Sequence, residues 1–151
     1  MTAQTEKPFV EKVNTRYLET LVGYNARRAA LAVISHFLEE MAVYDLRPVD
    51  FSALSLITHN PGITSRQLCT TLGIQAPNIV AMVNGFEKRG LIERHAHPRD
   101  GRAFGLMLTA DGQALMAKAE KTASSLEVRV AEKLTPEERK SMISLLKKIY
   151  K

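Results

Sequence analysis

The run Leu72-Gly73-Ile74-Gln75-Ala76-Pro77-Asn78-Ile79-Val80-Ala81-Met82-Val83-Asn84-Gly85-Phe86-Glu87-Lys88-Arg89-Gly90-Leu91 constrains this chain more than any other stretch. Gly73 stands where a left-handed residue closes one helix and turns the chain sharply, and Gly90 stands where the next helix ends. Between them Ile79, Met82, Val83 and Phe86 keep the i, i+3, i+4, i+7 spacing of one buried stripe, which predicts a helix over residues 76–89. Pro77 suits its first turn, where a missing N–H costs nothing. The other side carries Ala76, Pro77, Asn78, Val80, Ala81, Asn84 and Gly85, small or polar residues that clothe no core.

The residues around this run complete a unit. Thr64-Ser65-Arg66-Gln67 has the form of a capping box, so the preceding helix starts at Ser65 and buries Leu68, Cys69 and Leu72. Beyond Gly90, residues 91–97 and 103–108 read as short strands on either side of the turn Pro98-Arg99-Asp100-Gly101-Arg102. A short helix, a tight turn, a second helix and a two-stranded ribbon with a charged tip make a winged helix-turn-helix. That shape fits a helix into the major groove of DNA.

Helices frame this lobe on both sides. Val13, Tyr17, Leu18, Leu21, Val22, Ala26, Ala29, Ala30, Val33, Ile34, Phe37, Leu38 and Met41 recur every three or four positions, predicting one long amphipathic helix over 10–43. Pro48 pushes Arg47 out of helical geometry and ends the segment. The apolar stripe is too wide to hide against so small a domain, so part of it should pack on a partner subunit. A helix over 49–59 buries Phe51, Leu54 and Ile57 and stops at Asn60-Pro61-Gly62. Thr109 caps a helix over 110–133, with Asp111 favoured by the dipole in its first turn. Thr135-Pro136-Glu137-Glu138 starts a last one that buries Met142, Leu145, Leu146 and Ile149.

The expected fold is therefore mainly α with a small β-hairpin wing. The winged helix-turn-helix DNA-binding lobe spans 47–110, N- and C-terminal dimerisation helices span 10–46 and 111–151, and a disordered arm covers 1–9. A net charge of +5 and a pI near 9.5 favour a polyanionic partner. One cysteine permits no internal disulfide, which suits a reducing compartment. The first eight residues lack the apolar core of a signal peptide, and no stretch reaches the roughly 18 apolar residues of a membrane span. A cytoplasmic protein without membrane contact is expected.

With those elements in order, the chain resembles the MarR family of bacterial transcriptional regulators over nearly its whole length, as a single domain over 1–151. Four stretches carry the resemblance: the segment Thr64 to Ile74, the exit Phe86-Glu87-Lys88-Arg89-Gly90-Leu91-Ile92-Glu93-Arg94, the tip Arg99-Asp100-Gly101-Arg102, and Leu108-Thr109-Ala110-Asp111-Gly112. Each alone is weak, and together they are fairly specific. The resemblance implies a homodimer with interlocked terminal helices. Its paired recognition helices would enter successive major grooves of a palindromic operator, and its wings the flanking minor grooves. It further implies a repressor relieved by a small aromatic or phenolic effector. Two positions depart from the pattern: His97 stands where the family commonly has an acid, and the recognition helix has no basic residue before Lys88.

The candidate DNA-binding residues follow. Arg102 at the wing tip can enter a narrow A·T-rich minor groove, against the alternative of a solvated turn arginine. Arg99 can contact phosphate, while Asp100 suits holding an arginine or capping the turn. Gln75, Ala76, Pro77, Asn78 and Ala81 would face the groove, with Asn78 able to pair bidentately with adenine; a mere helix-capping role for Asn78 competes. Thr64, Ser65 and Arg66 sit at a helix start suited to phosphate, and Lys88 and Arg89 can do likewise or serve only the helix dipole. By resemblance the effector lies where the first, second and fifth helices meet the lobe, making Tyr17, Tyr24, Asn25, Arg28, His36 and Phe51 candidates, although such aromatics are usually core.

Other chemistry is not encoded. Cys69 reads as an inert core thiol rather than a redox switch. His95 and His97 share a strand face but lack further ligands to complete a metal site, so neither metal nor cofactor is expected. No nucleophile–base pair, Gly-rich phosphate loop or paired acids suggests an enzyme. The leading reading is a ligand-responsive DNA-binding transcriptional regulator. Its alternative is a nonspecific or architectural DNA-binding protein without effector.

Overall fold

The computed structural model describes residues 9–151, so the expected N-terminal arm lies, Phe9 apart, outside the described residues. Helix α1 (Arg16–Glu19) and α2 (Val22–Met41) lead through a 3₁₀ turn, Ala42–Tyr44, to α3 (Pro48–His59). Strand β1 (Ile63–Thr64), α4 (Ser65–Leu72), α5 (Ala76–Lys88), β2 (Ile92–His97) and β3 (Asp100–Leu108) form the centre. Helices α6 (Ala110–Val130) and α7 (Pro136–Tyr150) close the chain.

Local chemistry sets the central boundaries. Thr64 Oγ1 accepts from the Gln67 N–H at 3.2 Å while Gln67 Oε1 accepts from the Thr64 N–H at 2.9 Å, the reciprocal cap that starts α4. Gly73, at φ 64°, ends it and donates its N–H to the Cys69 carbonyl. Gly90, at φ 70°, turns the chain out of α5 into the wing. The core gathers Leu54 and Ile57 from α3, Leu68 from α4, Ile79, Val83 and Phe86 from α5, and Leu106 from β3. Met41 at the end of α2 and Met116 and Ala119 on α6 are fully buried in the same cluster, so the flanking helices are rooted in the lobe. Each large apolar side chain so buried contributes about 1.5–3 kcal/mol.

Five expectations need correction. The long N-terminal helix is broken: Leu21 is extended at ψ 126°, separating α1 from α2. Apolar spacing continues across the break, but Thr20 turns its hydroxyl to the Tyr17 carbonyl and the Asn25 amide donates to the Glu19 and Leu21 carbonyls, satisfying the frayed ends. The sheet has three strands, not two, in the order β1-β3-β2, with Ile63 opposite Leu106 and Thr64 opposite Gly105. The wing turn is narrower than 98–102, because β3 already begins at Asp100, paired with His97 across an irregularity after Ala96. Helix α6 stops at Val130 rather than 133. The apolar face of α7 is not buried within the chain: Leu145 is 61% and Ile149 66% exposed. Its i, i+3, i+4 pattern specifies an apolar stripe without supplying a cover.

A buried acid was also unforeseen. Asp50 in the first turn of α3 accepts from Arg47 Nε at 2.7 Å, Arg47 Nη2 at 2.8 Å and the Arg47 N–H at 3.1 Å. Burial pushes its carboxyl pKa up, but the hydrogen bonds from Arg47 and the charges of Arg47 and Arg89 outweigh that and hold it below the usual carboxylate range. A carboxyl lowered by folding contributes stability above its unfolded pKa of about 4, and that contribution disappears as pH falls through the lower folded value. Chemical denaturation of the wild type is therefore expected to lose stability on acidification below about pH 4 more steeply than that of Asp50→Asn; parallel pH profiles would refute this role.

Gly112, in the first turn of α6, approaches the backbone so closely that a Cβ there would lie 2.0 Å from the Leu91 carbonyl oxygen. Backbone cannot yield as a flexible side chain does. Gly112→Ala is expected to cost about 1–3 kcal/mol in thermal or chemical unfolding. Gly23→Ala, where the added methyl meets nothing within 4 Å in α2, should gain about 0.5–1 kcal/mol.

Candidate nucleic-acid interface

The start of α4 and the wing form one cleft of about 540 Å³. Thr64, Ser65 and Arg66 line its helical side, and Asp100, Arg102 and Phe104 line the β3 side. Five residues singled out from sequence, separated by more than thirty positions, thus share one site. Within the wing, Asp100 Oδ1 accepts from the Arg102 N–H at 3.0 Å and His97 Nδ1 accepts from the Arg99 N–H at 3.2 Å. The imidazole at 97 is therefore a hydrogen-bond acceptor to the turn, at the position of the missing acid.

On α5, Ile79, Met82, Val83 and Phe86 face inward while Gln75, Ala76, Pro77, Asn78, Val80, Ala81, Asn84 and Gly85 are exposed. Gln75 is the N-cap without a side-chain cap bond, and among the described residues neither it nor Asn78 spends its amide on an internal hydrogen bond. Asn78 and Ala81 border a second groove of about 700 Å³, closed opposite by Asp45, Arg47, Asp50 and Arg89. A free amide offers one acceptor and two donors, the set that pairs with an adenine edge.

Asn84 differs. Arg94 donates from Nη2 to Asn84 Oδ1 and from Nε to Glu87 Oε2, the latter at 3.2 Å, fastening β2 to α5. With Oδ1 bonded to Arg94, the Asn84 amide is held in one orientation and its oxygen is less available to an adenine edge. Arg89 is likewise committed, donating to the Tyr44 and Asp45 carbonyls at 2.9 and 3.0 Å. Arg89 is thereby taken from the cations that the sequence offered to phosphate, and Arg94 is held within the lobe. Their partners lie 44 and 45 residues upstream of Arg89, and across a turn from Arg94, where spacing rules give no signal.

The remaining cations are open. Among the described residues Arg66, Lys88, Arg99 and Arg102 form no salt bridge, whereas Arg47, Arg94 and Arg129 do. Unpaired arginines beside a helix N-terminus are well suited to phosphate oxygens. Cys69 is a half-buried free thiol, and His95 bonds Glu93 at 2.9 Å. Among the described residues no cluster of His, Cys, Asp and Glu could hold a metal ion, and no helix is long and apolar enough to cross a membrane.

The effector candidates are not gathered into one place within the chain. Phe51 packs edge-on against Phe37, with ring centroids 5.6 Å apart, on the lobe side. Tyr24 and Arg28 lie one turn apart on α2; at about 100° per residue that face is turned well away from Phe37 and Met41. The Asn25 amide is spent on backbone carbonyls, Tyr17 is 76% exposed on α1, and Arg28 and His36 are exposed. Tyr24 and His36 are about 18 Å apart along the helix axis.

Comparison with known proteins accords with this geometry. The family model described as the MarR family matches residues 44–103. The transcriptional repressor CouR bound to a 23-mer DNA duplex is 39% identical, with 93% of this chain and 100% of that chain covered at a TM-score of 0.88. CouR bound to p-coumaroyl-CoA is 39% identical, with 91% and 97% covered at a TM-score of 0.81. A protein of Thauera aromatica provisionally assigned as the transcriptional regulatory protein for the hcr operon is 28% identical over 131 residues, which cover 86% of this chain and 79% of that one. Fold, wing and relatives agree: this chain belongs to the MarR family of transcriptional regulators.

Proposed function

We propose that this protein is a homodimeric, ligand-responsive repressor, released from a palindromic operator by a small aromatic or phenolic effector, either an acid or its coenzyme A thioester. The observation that carries the reading is the match, at a TM-score of 0.88, to a repressor seated on a DNA duplex. The same repressor fold with p-coumaroyl-CoA supports an aromatic thioester as the class of input. The exposed apolar faces of α1, α2 and α7, including Leu18, Leu31, Leu38, Leu145 and Ile149, support a partner copy as their cover.

In this reading Arg66, Lys88, Arg99 and Arg102 hold phosphates or the minor groove, and α5 reads the major groove with Gln75, Asn78 and the small surface of Ala76, Pro77 and Ala81. Dimer contacts fix the separation of the two α5 helices. A ligand that favours another separation weakens DNA binding by its differential affinity for the two arrangements. A coupling of about 1–3 kcal/mol gives about 5- to 150-fold relief.

The test is a gel shift with the duplex from upstream of the protein's own gene, competed by random duplex and challenged with aromatic acids, p-coumaroyl-CoA, phenols and peroxide. Preference for the upstream duplex, steep loss of affinity with salt, and release by an aromatic acid or thioester are expected. Equal competition by random DNA with no release by any compound would show a nonspecific DNA-binding protein and overturn the proposal.

The division of labour predicts separate effects. Arg102→Ala should weaken binding to upstream and random duplex alike, by about 5- to 10-fold. Asn78→Ala should cost about 1–3 kcal/mol on the upstream duplex and little on random DNA. Identical effects of the two substitutions on both duplexes would refute the assignment.

A further inference from the structure

We propose that Val80 and Asn84 form a thymine-reading ridge on α5, with Arg94 as the positioning residue that sets it. This rests on the DNA-binding reading above and names the base it selects. Val80 is 52% exposed, the one large apolar side chain of α5 that the core leaves uncovered among Ile79, Met82, Val83 and Phe86. A solitary exposed valine is ordinary on a protein surface. This one shares a helical ridge with Ala76 and Asn84, four residues before and after it, on a face that carries no basic residue before Lys88 and whose one acid, Glu87, is paired with Arg94.

The second observation fixes Asn84. A guanidinium only donates, so the Asn84 carbonyl oxygen must face Arg94 Nη2, and the Asn84 NH₂ is the group left available. Glu87, accepting from Arg94 Nε at 3.2 Å, holds the guanidinium in place. The ridge therefore offers a methyl surface next to a donor. In the major groove thymine alone presents a methyl group beside an acceptor, O4; guanine presents two acceptors, and adenine an acceptor and a donor without a methyl. Cytosine offers only a donor. The pattern on Val80 and Asn84 is thus complementary to thymine, whose methyl Val80 can meet, and the ridge lacks the arginine or lysine that most commonly pairs bidentately with guanine.

The experiment starts with selection of bound duplexes from a random-sequence pool by the full-length protein. Enriched half-sites with thymine at a fixed position are expected. Replacing that thymidine by deoxyuridine, which removes only the methyl, should weaken the wild type about fourfold per half-site. Val80→Ala should bind the thymidine and deoxyuridine duplexes equally; circular dichroism checks that it keeps its helix. Arg94→Ala, which frees the Asn84 amide to rotate, should let adenine replace thymine at that position in a repeated selection. Wild-type indifference to the methyl, retained discrimination by Val80→Ala, or enriched half-sites without thymine would overturn the ridge while leaving sequence-specific binding intact. A pool that yields no enrichment would overturn both.

Discussion

The junction at Gly90 and Leu91 is the contact on which the rest of the structure depends. Thr109 Oγ1 donates to the Gly90 carbonyl at 2.6 Å, the Thr109 N–H donates to the Leu91 carbonyl at 3.0 Å, and Gly112 lies directly against that same carbonyl. Thr109 also accepts from the Gly112 N–H at 3.1 Å, so it caps α6 while bonded to the exit of α5. The end of α5, both feet of the wing and the start of α6 are thereby fixed within a few ångströms. A glycine at 112 is required because any side chain would part them.

This knot makes a rigid DNA-facing unit of pieces whose own affinities differ in kind. The outer face of α5 has no basic residue before Lys88, and its acid Glu87 is paired with Arg94, so it brings little attraction to a polyanion. In the proposed reading, Arg66, Arg99 and Arg102 around it, which form no salt bridge among the described residues, supply that in a chain of net charge +5. Phosphate contacts of this sort position a protein without reading sequence, which in the same reading leaves discrimination to the amides and methyls of α5. Arg94 belongs to neither group: by gripping Asn84 and Glu87 it trades phosphate attraction for a fixed angle between wing and helix.

What the sequence disclosed was governed by range. The Thr64, Thr109 and Thr135 caps and the Gly73 and Gly90 turns were legible because each depends on residues three or four apart. Strand β1 was hidden because two residues carry no period, and its place is set by Leu106, more than forty positions away. The break at Leu21 was hidden because the apolar spacing runs straight through it. Periodicity showed which face of α7 is apolar but could not show that the chain leaves that face uncovered. The wing and the α4 start were legible one at a time, and their convergence on one cleft was not. The effector candidates were the least legible, because a resemblance names helices and a ligand is held by directions.

Those directions constrain how an input could reach the reader. On α2 the buried end carries Phe37 and Met41, while Tyr24 and Arg28 turn elsewhere, so a ligand on their face has no direct contact with α5 in the same chain. The available route is mechanical. Glu40 pairs with Arg129, and the Tyr44 hydroxyl meets Thr122 Oγ1 at 2.9 Å, binding the end of α2 to α6. Arg89 then holds the Tyr44 and Asp45 carbonyls from the end of α5, and Asp45, the one non-glycine residue with positive φ among those described, marks the sharp turn between them. The end of α2 is thus joined to the α5 terminus twice, through Arg89 directly and through α6 to the Gly90 knot. Both links end at the same end of α5, the end that Thr109 and Gly112 also fix. Under the proposed ligand-responsive reading, a ligand that tilts α2 would act on the α5 terminus through these contacts, with no need to touch the outer face of α5.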